Sequence, residues 1–168
     1  MKIRRDYVTN SSSSSFILSF KDEDSIYDTL KEQFPKDIES GWSAGKYGYL
    51  PDLLNRISDE KRLTQEDIKE IIEDEERWTI RWELREKYER EKGMSHLESW
   101  DFFDSPEGEK LIKEECGKIV EEIMKKIGDD HVIVQVEYGD GGETGEDGVM
   151  EHEILPNLDC TIARFSHH

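Results

Sequence analysis

The spacing of apolar positions changes along this chain, and each change of period marks an element. Phe16-Ile17-Leu18-Ser19-Phe20 places Phe16, Leu18 and Phe20 on one side of a short strand. Ile26, Leu30 and Phe34 then fall four apart, the spacing of one helix face, with Asp22 or Asp24 as a cap and Pro35 as a stop. A short helix carrying Leu53, Leu54 and Ile57 is expected after Pro51. Thr64, with Asp67 three residues on, is close to a capping box and opens a helix expected to reach about Gly93. That helix carries Ile68, Ile71 and Ile72, then Trp78 and Trp82 along one line and Ile80, Leu84 and Tyr88 along another. Two apolar stripes on one helix imply contacts on two sides, one with the core and one with another chain.

Ser105-Pro106 is a start signal, a cap followed by Pro at the first helical position. The helix predicted from there to Ile127 buries Ile112, Cys116, Ile119, Val120, Ile123 and Ile127, and Gly128 ends it. Beyond it the period drops to two. Val132, Val134, Val136 and Tyr138 alternate with His131, Ile133, Gln135 and Glu137. A second strand is expected at about Val149 to Leu155 and a third from Cys160 to Phe165, after a turn at Pro156-Asn157. The pattern reads as one α+β domain over residues 1–168. Its small, mostly antiparallel sheet combines the N-terminal strand with three C-terminal strands, with helices on one face. Residues 1–15 are expected to be a polar, serine-rich lead-in.

Composition changes the picture mainly through charge. Forty-one acidic residues against 23 basic give a net charge of −18. Such a chain repels polyanions and lacks the counterion-release drive for nucleic acid, so DNA, RNA and anionic membrane surfaces are disfavoured. Cationic partners and metal ions remain allowed. The sequence has four Trp, six Tyr and six Phe, which argues against wholesale disorder. Cys116 and Cys160 fall in no CxxC or zinc-type pattern and are expected to be reduced, buried thiols of a cytoplasmic protein. The basic start Met1-Lys2-Ile3-Arg4-Arg5 is followed by polar residues rather than by the apolar core of a signal peptide. No stretch approaches the ~20 apolar residues that span a bilayer.

Candidate chemistry is sparse. Gly41-Trp42-Ser43-Ala44-Gly45-Lys46 lacks the spacing of a phosphate loop and has Tyr47 where Ser or Thr would bind magnesium. The loop Gly139 to Gly148 offers carboxylates for a hard cation but not at EF-hand positions, and it reads first as a mobile hairpin loop. The histidines are the most pointed set. His152 lies between Glu151 and Glu153, and the chain ends Ser166-His167-His168. If the second and third strands pair, His152, His167 and His168 can gather with Glu151 or Asp140 around a divalent metal such as zinc. Strand alternation also allows His152 to be a core histidine beside Met150 and Ile154. No Gly-x-Ser-x-Gly elbow occurs.

The N-terminus, Arg4-Arg5-Asp6-Tyr7-Val8-Thr9-Asn10 followed by Ser11, Ser12, Ser13, Ser14, Ser15 and Phe16-Ile17, resembles a segment that opens otherwise varied, uncharacterised bacterial proteins. There it runs Val-Thr-Asn-Ser-Ser-Ser-Ser-Ser-Phe. The closing Glu151 to His168 stretch is more weakly similar to the end of some of them. The resemblance implies a bacterial, intracellular origin and native terminal histidines. It carries no activity with it. A shared start on unlike bodies also implies that something recognises or modifies the serine run.

Three functions follow from these observations. The first is a non-enzymatic acidic interaction protein whose long helix, through Trp78, Ile80, Trp82, Leu84 and Tyr88, engages a second copy of itself or a basic protein. The second is a metal-binding protein or metal-dependent hydrolase using the C-terminal histidines. The third is a target of modification or processing through Ser11 to Ser15.

Overall fold

The computed structural model describes residues 13–34, 48–139 and 146–167. It is α+β, a small three-stranded antiparallel sheet together with a larger complement of helices. The chain divides into two compact units. One comprises Met1–Lys61 with Val134–His168, and the other is Arg62–Ile133.

In the first unit, β1 (Ser13–Phe20) is the central strand, flanked by β2 (Val132–Gly139) and β3 (Thr161–His167). β1 pairs antiparallel with β3, from Ser13 opposite His167 to Leu18 opposite Thr161, with a register shift between Ile17 and Leu18. The N-terminal strand thus lies between two strands from the far end of the chain. Every residue of β1 from Ser14 to Phe20 is buried, as a central strand covered on both faces requires. The strand starts at Ser13, three residues before the apolar pattern, because the serine hydroxyls find partners inside the fold. Helix α1 (Ser25–Gln33) buries Ile26 and Leu30. Asp22 accepts the Ser25 backbone N–H at 2.8 Å, closing the turn ahead of that helix. Helix α2 (Tyr49–Asp59) begins earlier than Pro51 and buries Tyr49, Leu50, Leu53 and Ile57. Gly48, at φ 71°, supplies the left-handed entry that a side chain would disfavour.

The strand expected at Val149 to Leu155 is instead helical. A short α6 (Glu146–Val149) runs into a π turn at Met150–Ile154 and a 3₁₀ turn at Leu155–Asn157. Buried positions there are Met150, Glu151, Ile154 and Leu155, a one-sided spacing of one, four and five that suits a helix. Alternation of Met150, His152 and Ile154 reads equally well as a strand, and the outcome is set by the burial of Glu151, which alternation placed on the opposite side. Among the described residues two C-terminal strands therefore join β1, not three.

The second unit is helical. Helix α3 (Gln65–Lys92) opens on a capping box in which Thr64 and Asp67 bond reciprocally, and ends at Gly93 in the left-handed conformation (φ 65°). Helix α4 (His96–Phe103) has its own capping box from Ser95 and Glu98. Helix α5 (Pro106–Met124) is capped by Ser105, whose hydroxyl accepts the Gly108 N–H, and stops short of Ile127. The three pack around Ile80, Phe103, Ile112 and Cys116, with Leu84, Tyr88, Phe102, Leu111 and Ile119 partly buried against that core.

Candidate functional site

Helix α3 sorts its two apolar stripes differently. Ile80 is buried, and Leu84 and Tyr88 pack on the core of their own unit, with the Tyr88 ring 5.4 Å from Phe102 and 5.2 Å from Phe103. Trp78 and Trp82 point away from that core and remain 61% and 44% exposed. Leu97 on α4 is 77% exposed. Leaving two indoles and a leucine in water forgoes burial that contributes about 1.5–3 kcal/mol for a large apolar side chain. Two exposed tryptophans one helical turn apart mark a contact surface more often than a single exposed leucine does.

The ring stack beside this face is held by buried charge. The Arg85 guanidinium lies 3.6 Å from the Trp100 centroid and 5.1 Å from that of Trp82, and the residue is only 2% exposed. Arg81 approaches the same Trp100 ring at 5.5 Å and pairs with Asp104. Trp78 tilts against Trp100 with centroids 6.1 Å apart. Arg85 donates to Glu89 at 3.3 Å, and Glu89 also accepts the Ser99 hydroxyl at 2.5 Å. Trp100 donates its indole N–H to His96 Nε2 at 3.2 Å, and His96 Nδ1 lies 3.2 Å from the Glu89 carboxylate and 3.1 Å from the Arg85 guanidinium. The Ser99 hydrogen bond, aided by His96 and Arg85, holds the Glu89 carboxyl below the usual range. Stabilisation from Glu89 is therefore complete above its unfolded pKa of about 4.3 and is lost as pH falls through the lower folded value.

The histidine set lies in the first unit. His152 is half exposed rather than a core histidine, and its Nε2 is 3.8 Å from Oε2 of the fully buried Glu151. Among the described residues no three His, Cys, Asp or Glu side chains gather as a metal would need. Asp140, His168 and the side chain of His167 lie outside the described residues, as do Ser11, Ser12, the 41–47 segment and most of the Gly139–Gly148 loop. What surrounds Glu151 is the serine strand. Ser14 donates to Glu151 Oε1 at 2.6 Å, Arg164 donates to the Ser14 hydroxyl at 3.3 Å, and Ser166 lies at 3.3 Å. Ser15 donates to Glu137 at 3.4 Å. Ser14 and Ser15 are fully buried, so an enzyme that modifies them must meet the chain with β1 undocked. Ser14→Ala removes the close donor to a buried carboxylate and is expected to destabilise the first unit by about 2 kcal/mol, read from urea unfolding followed by far-UV circular dichroism.

Tyr138 donates to Asp52 at 3.0 Å while Arg56 bonds Asp52 at 2.9 Å and Asp147 at 3.0 Å. Burial, then Asp52, raises the Tyr138 phenol well above its ordinary value, so it stays protonated and structural. The adjoining cleft of about 490 Å³ is lined by Arg56, Asp59, Glu60 and residues 135–137, a guanidinium and three carboxylates with no serine, cysteine or histidine among them. Both cysteines are buried and unpaired by disulfide. Burial raises the Cys116 thiol and pushes Cys160 up to about 12. A thiol-specific reagent at pH 8 is expected to label neither in the folded protein and both in denaturant, which mass spectrometry resolves.

The Arg85–Trp100 network was not visible in the periodicity because α4 is too short to show a stripe. Its legible signal was Ser95-x-x-Glu98, a capping box directly behind Gly93. No family model, curated protein or solved structure matches the chain.

Proposed function

We propose that this protein is a non-enzymatic interaction module and that its contact surface is the face formed by Trp78, Trp82 and Leu97 on α3 and α4. The observation that carries this reading is the exposure of two neighbouring tryptophans beside a third that is fixed by a buried arginine. A rigid aromatic presented at low entropic cost is the usual anchor of a protein interface. Ile80, Leu84 and Tyr88 pack inside their own unit, so they support the platform and do not form the contact. The shared serine start then serves as the central strand of the other unit, an architectural part rather than the working surface.

The test places a photo-crosslinking amino acid at Thr79, exposed beside both tryptophans, and at Lys113, exposed on α5, in the cell that makes the protein. A discrete adduct from position 79 and none from 113 supports the reading. Equal yields from both positions contradict it.

A further inference from the structure

We infer that the Trp78–Trp82 face takes a basic polypeptide segment whose Arg or Lys side chains stack on the outer faces of the two rings. This rests on the reading of that face as the contact surface and adds the chemistry of its partner. The chain already shows the geometry with its own residues. Arg85 is sandwiched between Trp100 and Trp82, and Arg81 lies over Trp100, so guanidinium groups occupy the inner ring faces. Trp78 and Trp82 remain 61% and 44% exposed, and a cation over an indole face is drawn by the ring quadrupole.

The rim selects for the same charge. Asp74 stands one helical turn before Trp78, and Glu86 one turn after Trp82, where it accepts that indole N–H at 3.1 Å. Asp101 stands one turn after Leu97 on α4. All three are exposed. The chain's own cations beside the rings are committed inward, Arg81 to Asp104 and Arg85 to Glu89. Exposed Leu97 offers apolar surface for the aliphatic stem of a lysine or arginine. A net charge of −18 opposes approach of a second copy and steers a basic chain inward.

The experiment titrates the full chain with a short Arg-Gly peptide and with a Glu-Gly peptide of equal length, following the indole N–H signals by NMR. Two variants accompany it, W78A/W82A and the charge variant D74N/E86Q/D101N, each compared with the wild-type chain by far-UV circular dichroism and urea unfolding, because Trp82 also stacks on Arg85 and Trp78 on Trp100. The Arg-Gly peptide is expected to shift the Trp78 and Trp82 signals and to weaken as salt rises. Its affinity is expected to fall about tenfold in W78A/W82A, as losing two cation–π contacts implies, and to fall and lose most of its salt dependence in the charge variant, which removes three carboxylates. The Glu-Gly peptide is expected to leave the spectrum unchanged. Binding that ignores both variants overturns the inference, and so does sedimentation showing a dimer that W78A/W82A abolishes. If no basic peptide binds while the crosslink at position 79 persists, the partner chemistry is wrong and the contact face stands. If both fail, both fall.

Discussion

Gly108→Ala is expected to destabilise the helical unit by about 3 kcal/mol, the upper part of the usual range for overpacking. A Cβ at Gly108 meets the Phe102 carbonyl oxygen at 2.3 Å and the Phe103 Cα at 2.5 Å, both backbone atoms that no rotamer change can move. Helix α4 must then separate from α5, pulling Phe103 out of the core it shares with Ile80, Ile112 and Cys116. Gly117 on the same helix is the control. A Cβ there meets nothing within 4 Å, so Gly117→Ala is expected to stabilise by about 0.5–1 kcal/mol through helix propensity alone. Urea unfolding followed by tryptophan fluorescence reads both variants, because Trp78, Trp82 and Trp100 all belong to this unit. Equal effects from the two alanines would show that the α4–α5 contact is looser than described.

Arg85→Ala is expected to cost about 2–3 kcal/mol, for a reason that is not mainly the ion pair. Glu89 keeps its bonds to Ser99 and His96, and its side chain is 29% exposed, so solvent screens part of the loss. The larger loss is the flat group between Trp82 and Trp100, which leaves a slot that neither indole fills. Arg85→Lys separates the two contributions. Lysine retains the charge but not the planar stack, and about half the stability is expected to return. Near-UV circular dichroism should lose tryptophan signal in the alanine variant and recover it only in part with lysine. Full recovery with lysine would assign the role to charge alone.

How much of this was legible depends on what kind of signal each element carries. Helix α3 was read nearly to the residue because Thr64, Asp67 and Gly93 are local signals that no tertiary contact overrides. Helix α5 is legible at its start for the same reason, Ser105-Pro106, but not at its end, where Ile127 continues the apolar spacing after the α-helix has stopped at Met124. The segment Met150–Ile154 failed because a short stretch fits both periods, and the deciding fact, a buried glutamate bonded to Ser14, comes from the other end of the chain. The serine run failed similarly. Serines carry no hydrophobic pattern, and distant partners such as Glu151, Arg164, Ser166 and Glu137 make a buried strand of them. The two tryptophans were singled out from spacing, but Arg85 was not, since a buried arginine looks like any other charge on an exposed helix until its neighbours are known.

The most direct test of the contact face is the indole N–H spectrum of the isotope-labelled full chain, recorded in buffer and again in clarified extract of the organism that makes it. Selective broadening of the Trp78 and Trp82 signals in extract, restored to sharpness by excess unlabelled wild-type chain but not by unlabelled W78A/W82A, is the result expected here. Four indole signals that stay equally sharp, or that broaden together and respond alike to both competitors, would mean that the face binds nothing specific, and the interaction reading would be withdrawn.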